Sequence, residues 1–235
     1  LLRVRKSLRT KLTRSDFLTR NNRPLVWRNL FFPAELLNAL DVRMLTLETY
    51  AALRGRSQRK LRHFFDRAAC KGFSAETCSF LRVLEGEDFL PKAEFAVTTT
   101  EPCQQGERIF ADLVRGQNLR DRYFTLHTPF QNNGYAVESI AAGLEESTRC
   151  MEEALGIKLD PGRLRRACEI SNEARALAMK CHEVRLNSPP LIRGGEAVLF
   201  ANMFSQLWGK EEMVELQRTM LEELEERREM LDGIG

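Results

Sequence analysis

Cys78 and Cys103 are the residues whose type and setting bear most directly on chemistry. Cys78 opens the run Cys78-Ser79-Phe80-Leu81-Arg82, which reads as a helix start. Cys103 follows the strand-like run Glu94-Phe95-Ala96-Val97-Thr98-Thr99-Thr100. In open α/β sheets, chemistry collects beyond the carboxyl ends of the strands. A soft thiolate there suits zinc, an iron–sulfur cluster or nucleophilic chemistry. No Cys-x-x-Cys occurs, so no self-contained zinc or ferredoxin-type motif is present. Either thiol can equally be a buried structural cysteine, a common fate of free Cys. Cys150, Cys168 and Cys181 fall on helical segments and read as packing residues.

Three further side chains attract attention. Glu35, just inside a helix start, is placed for acid/base work or simply to favour the helix dipole. His127, near a strand end, is positioned for proton transfer, against the commoner structural histidine. Arg82 offers a planar cation to an anionic group or to an ordinary ion pair. His63 and His182 have no supporting context. Ser79 has no arguable Ser-His-Asp arrangement. Gly194-Gly195 is too short to be a phosphate-cradling loop.

The elements that must position these residues follow from the pattern. Residues 1–20 form a basic amphipathic helix with Leu8, Leu12 and Phe17 on its apolar side, broken by Asn21-Asn22-Arg23-Pro24. Pro33 begins a helix through Leu36, Leu37 and Leu40. Val42 to Leu47 is a short strand, and one helix covers the fifties and sixties. Phe95–Thr100 and Tyr123–His127 are further strands, with helix from Glu107 to Val114 between them. Strand, helices, strand, helix, strand implies a small parallel sheet with right-handed crossovers. The expected fold class is therefore α/β and helix-rich: a small parallel Rossmann-like or flavodoxin-like sheet followed by a helical segment. That segment comprises Ala136–Leu155, stopped by Gly156, then a helix from Asp160-Pro161 to about Val184, a third around Ala197–Leu207, and a charged one from Lys210 to Leu231. The domain reading is 1–24 basic helix, 25–130 α/β lobe, and 131–235 helical segment leading towards a second lobe that is absent.

Composition narrows the class. No segment offers the ~18 consecutive apolar residues of a spanning helix, so no membrane association is expected. No signal peptide is visible, and six cysteines without a dense framework suggest free thiols or metal ligands in a reducing, cytoplasmic setting. Basic residues concentrate in 1–72, while Glu211 to Glu229 is acidic. A basic arm could meet nucleic acid, phosphates or an acidic partner surface; solvated helix face is the plainer reading. No nucleic-acid module accompanies it and Tyr and Trp are sparse, so nucleic acid is not an expected partner.

Several segments together resemble one family. Phe32-Pro33-Ala34-Glu35-Leu36-Leu37-Asn38-Ala39 is similar to the Pro-Glu-Glu-Leu-Ile-x-Ala helix start of the 2-hydroxyacyl-CoA dehydratase and benzoyl-CoA reductase family, in the D-component type of iron–sulfur protein. Thr77-Cys78-Ser79-Phe80-Leu81-Arg82 resembles its first cluster cysteine, followed by an aromatic and an Arg. Val97 to Cys103 resembles the strand ending in its second. Leu126-His127-Thr128-Pro129 resembles its strand ending in Pro. Leu155–Leu159 through Asn172-Glu173-Ala174-Arg175, and Ser188-Pro189-Pro190-Leu191-Ile192-Arg193-Gly194, resemble its helical stretch and its Pro-Pro-x-x-Gly turn. The likeness spans roughly residues 25 to 205. Departures are Gln104 where the family has Asp, and Ala34 in place of the first Glu.

The resemblance implies a [4Fe-4S] cluster, or in some relatives a double-cubane cluster, held by Cys78 and Cys103 with Cys70 as an alternative third ligand. It implies removal of water from a 2-hydroxyacyl-CoA through a ketyl radical. On the reading of the residues themselves, Arg82 is the candidate to hold cluster charge or a CoA phosphate, and Glu35 and His127 are the candidate catalytic groups. The implied partners are a second α/β lobe or sister subunit, an ATP-dependent activator protein and the acyl-CoA. The alternatives are a double-cubane or benzoyl-CoA-type reductase component, and a cluster-less scaffold or docking protein.

Overall fold

A computed structural model describes residues 2–13 and 22–232. In chain order its elements are α1 (Leu2–Thr13), β1 (Leu25–Arg28), α2 (Ala34–Ala39), β2 (Arg43–Thr46), α3 (Leu47–Arg54), α4 (Gln58–Cys70), α5 (Ser79–Gly86), β3 (Phe95–Thr99), α6 (Gln104–Gly116), a 3-10 turn (Arg120–Arg122), β4 (Tyr123–Leu126), α7 (Gly134–Leu155), α8 (Pro161–Arg185), α9 (Gly194–Phe204) and α10 (Glu211–Asp232). The chain divides into two compact units. One comprises residues 22–33 and 40–159, the other residues 1–21, 34–39 and 160–235.

The first unit is built on a four-stranded sheet, ordered β2-β1-β3-β4 and parallel throughout. This is the α/β, helix-rich fold with a parallel sheet that the pattern implies, and its strand order is the flavodoxin-like one. Four residues of β1 and five of β3 are buried on both faces, as strands covered by helices must be. β1 is the one strand the sequence does not announce. It is only four residues long and ends in a charge, Arg28, so it carries neither alternation nor an apolar run. Burial makes that arginine structural: it is 1% exposed and its Nη1 donates to Phe32 O at 2.6 Å. Trp27 anchors the strand, its Nε1 donating to Pro91 O at 3.0 Å.

The single helix expected over the fifties and sixties is two, α3 and α4, because the chain turns at Gly55-Arg56-Ser57. α4 and α5 then approach so closely that a Cβ on Gly86 would lie 2.1 Å from Phe64 O. The boundaries of α7 are set by local chemistry. Asn133 Oδ1 accepts from Ala136 N at 3.0 Å, and Gly156 ends the helix in the left-handed region at φ 66°.

The second unit is helical, with α2 and α10 packed on α8 and α1 on α10. Asp160 caps α8 by accepting from Gly162 N at 2.8 Å and Arg163 N at 3.2 Å, and Pro161 occupies its first turn. The basic first helix extends over 2–13; Leu8 is buried, and Phe17 and the side chain of Leu12 lie outside the described residues. Its charges meet the acidic final helix. Arg3 Nη2 lies 2.8 Å from Glu226 Oε1, and Lys11 pairs with Glu215. The Glu223 carboxylate caps α1 by accepting from Arg3 N and Val4 N, each at 3.0 Å. Burial opposes the charge on Glu223, but those N–H donors and Arg3 outweigh it and hold the carboxyl below the usual range. No described helix is long and apolar enough to cross a membrane.

Candidate functional site

The strand order reverses between β1 and β3, and in parallel sheets such a switch point opens a crevice at the carboxyl edge. The residues leaving those two strands are joined there. Asn29, 2% exposed, donates from Nδ2 to Thr99 Oγ1 at 2.8 Å and accepts the Phe32 N–H on Oδ1 at 3.0 Å. The Thr99 hydroxyl donates in turn to Glu101 O at 2.7 Å. On the far side, Thr128 N donates to Thr100 Oγ1 at 3.0 Å and ties the end of β4 to the end of β3. The loop from Thr100 to Cys103 is thus held at both flanks.

Cys103 is delivered by that loop to the cap position of α6. Its sulfur accepts from Gly106 N at 3.3 Å, and the thiol is half-buried. The positive end of a helix beside a soft donor favours an anionic ligand set. Cys78 occupies the equivalent position on α5, in the same unit, and is exposed. Helices α5 and α6 pack on each other. Cys70 ends α4 and is also exposed.

A [4Fe-4S] cubane takes three or four donors, so the fit rests on the donor set. Cys78 and Cys103 are suitable in chemistry and accessibility. Among the described residues, no three of His, Cys, Asp and Glu are gathered as a metal site, so Cys70 does not complete one with them here. The described residues offer two accessible thiols that suit such a group and not a full donor set. The remaining thiols have a different character. Burial pushes the Cys181 thiol up to about 11, with Glu225 adding to it. Burial first and a neighbouring carboxylate second, Glu146 and Glu35 respectively, push Cys150 and Cys168 up as well. These three are poorer sources of thiolate.

His127 lies just past β4, exposed, on the wall of an open cleft of about 920 Å³ at the carboxyl edge of β3 and β4. Gln104, Arg108, Tyr123, Phe130 and Tyr135 share that wall. Phe130 and Tyr135 are largely exposed, and burial raises the Tyr123 phenol. Arg82 is committed locally. Its guanidinium carbon stacks 3.8 Å from the centre of the Phe65 ring, and Nη1 donates to Ala75 O at 3.0 Å, bracing the loop that leads to Cys78. Glu35 belongs to the helical unit, where it accepts from Ser171 Oγ at 2.5 Å. The sheet unit therefore brings His127, Cys103, Cys78, Cys70 and Arg82 into one body, and Glu35 stands in the other.

Sequence reasoning missed Asn29, Thr99 and the aromatic wall of the cleft. The strand-end Thr98-Thr99-Thr100 run was the one available signal, since a run of three hydroxyls at a strand end is suited to fixing a turn.

With this geometry in place, comparison with known proteins is decisive for the family. The profile of 2-hydroxyglutaryl-CoA dehydratase, D-component, matches residues 29–234. The chain belongs to that family. The family match begins just after β1 and takes in both candidate cysteines and all of α8. A curated relative, the alpha subunit of (R)-2-hydroxyisocaproyl-CoA dehydratase from Clostridioides difficile, is 25% identical over 218 residues, covering 87% of this chain and 52% of its own length. The chain thus spans about half the length of the curated relative it matches.

Proposed function

We propose that this chain is a component of a 2-hydroxyacyl-CoA dehydratase in which Cys78 and Cys103 are two ligands of a [4Fe-4S] cluster. The observation that carries the proposal is the placement of Cys103 beyond the β1/β3 switch point, on a helix cap and on a loop fixed by Asn29, Thr99 and Thr100. The family match and the relative's name support the substrate class. The further ligands are assigned to groups beyond those described, on a second lobe or a sister subunit.

When bound, the cluster would supply one-electron transfer to the acyl-CoA. This chain's own residues have four tasks. Cys78 and Cys103 would hold the group, each from the cap position of a helix. Asn29, through Thr99, keeps the Cys103 loop from shifting. Arg82 fixes the Ala75 carbonyl and hence the approach to Cys78. His127, on the open cleft, and Glu35, beside Ser171, are the groups proposed to carry protons. The net reaction is 2-hydroxyacyl-CoA to 2-enoyl-CoA and water, with no net oxidation. The proposed partners are a sister subunit and an ATP-dependent activator that injects the electron.

The test is direct. The intact protein, purified without oxygen with its sister subunit, is supplied with ATP, activator and a 2-hydroxyacyl-CoA, and enoyl-CoA formation is followed. The proposal expects ATP- and activator-dependent product, abolished by Cys103→Ser. Undiminished turnover in the Cys103→Ser protein, or none from the wild type with a reduced cluster present, overturns it.

A further inference from the structure

The helical unit contains a feature outside this chemistry. A hollow of about 360 Å³ is lined by Arg5 of α1, Pro190, Leu191 and Arg193 of the turn before α9, Glu196 of α9 and Arg227 of α10. Three guanidinium groups from three distant parts of the chain face it with one carboxylate, a formal surplus of two positive charges.

The hydrogen bonds show how the charges are held. Glu196 Oε1 accepts from Arg5 Nη2 at 2.7 Å, which fixes Arg5 and occupies that carboxylate. Arg227 Nη1 donates to Leu191 O at 2.8 Å, which orients its fork and leaves its other N–H groups available. Arg193 is exposed, and its guanidinium has no partner among the described residues. Glu222, Glu223 and Glu226 on α10 are engaged with Arg3 and the start of α1, and none of them lines the hollow. Like charges gathered in one hollow repel, and an anion that bridges them removes that cost. α9 begins at Gly194, so its positive end adds to the same field. The planar fork of arginine matches the oxygens of phosphate, as it does those of carboxylate, and a doubly charged phosphate better offsets a surplus of two positive charges.

We propose that this hollow binds the phosphate groups of an organic phosphate, with Arg193 and Arg227 as its principal ligands and Arg5, steered by Glu196, as the third. Two sources share this chemistry: the phosphates of a coenzyme A thioester and those of a free nucleotide. The site does not depend on the dehydratase reading, since none of its residues belongs to the sheet unit that carries Cys78 and Cys103.

The experiment is titration calorimetry of the intact protein at low ionic strength with inorganic pyrophosphate, ADP and coenzyme A, repeated with Arg193→Gln and Arg193→Lys proteins. Arg193 serves the fold through its backbone carbonyl, which accepts from Glu196 N at 3.0 Å and Ala197 N at 3.1 Å and is kept in both variants, so neither should unfold, and circular dichroism checks this. Saturable binding, weakened about tenfold by Arg193→Gln, is expected, because one charge-assisted contact is lost. Arg193→Lys should fall between the two, keeping the charge and losing the fork. Added salt should weaken binding as well. Tighter binding of coenzyme A than of ADP assigns the site to the coenzyme; equal binding of ADP or pyrophosphate assigns it to the phosphates themselves. Absence of saturable binding of all three, or affinities untouched by Arg193→Gln, overturns the proposal. Anion binding that survives in a Cys103→Ser protein separates this site from the one above.

Discussion

Asn29 makes the most searching test of how the Cys103 loop is held. Its amide bridges the ends of β1 and β3 through Thr99 Oγ1 at 2.8 Å and accepts the buried Phe32 N–H at 3.0 Å. Asn29→Ala removes both contacts, leaves the Phe32 N–H bare in the interior and strips one donor from Thr99. A net hydrogen bond contributes about 1 kcal/mol and an orphaned buried donor costs about 1–3 kcal/mol, so the expected loss is about 2–4 kcal/mol. The assay is urea unfolding read from Trp27, which is fully buried in β1, in a Trp208→Phe background so that only the sheet unit reports. Asn29→Asp adds a sign. It keeps the acceptor for Phe32 but sets a carboxylate oxygen against Thr99 Oγ1, whose own hydrogen is directed to Glu101 O. The folded form should then hold its proton more tightly than the unfolded chain, so stability falls as pH rises above the ordinary carboxylate range and recovers on acidification. A loss below about 0.5 kcal/mol for Asn29→Ala, well under the value of one such bond, would refute the reasoning.

Three other outcomes follow from the same structure. Gly86→Ala places a methyl 2.1 Å from Phe64 O and 2.5 Å from Phe64 Cα, backbone atoms that cannot yield, so it should cost at least about 3 kcal/mol by urea unfolding; a neutral result would mean α4 and α5 are not in contact there. Burial raises Glu48, against the backbone N–H groups and Arg28, and likewise raises Glu85 against Lys71, so the folded sheet unit binds protons more tightly than the unfolded chain. Its stability should decline as pH rises from the ordinary glutamate value of 4.5 through the raised folded values, and Glu48→Gln should flatten that decline in unfolding midpoints measured between pH 5 and 8; an unchanged slope contradicts it. Cys181, 3% exposed and pushed up to about 11, should be alkylated far more slowly than exposed Cys78 and Cys70 in timed labelling read by mass spectrometry, and equal rates would mean the α8–α10 interface opens readily.

What was legible in the sequence had a local cause. Gly156 and Asp160-Pro161 mark helix ends by backbone rules, and both act as written. β3 declares itself by length and by β-branched residues, and Cys103 follows it as expected, but the helix it caps begins at Gln104 and not at Glu107. β1 was hidden because a central parallel strand need not alternate and this one ends in a buried arginine. The break at Gly55 was hidden because apolar spacing continues across it. Side-chain company was not legible at all. Nothing in the order of residues says that Arg82 lies on Phe65, that Glu35 belongs with Ser171, or that Arg5, Arg193 and Arg227 share one hollow. Those pairings arise from how helices pack, which the pattern of any one helix does not contain.

Iron and sulfide content reports most directly whether Cys78 and Cys103 bind a cluster. The intact protein, prepared without oxygen, is compared with its Cys78→Ser, Cys103→Ser and Cys150→Ser variants. Iron and acid-labile sulfide are expected in the wild type and in Cys150→Ser, and their loss from both other variants while the proteins stay folded. Iron retained in full by Cys78→Ser and Cys103→Ser, or absent from a folded wild type, would contradict it.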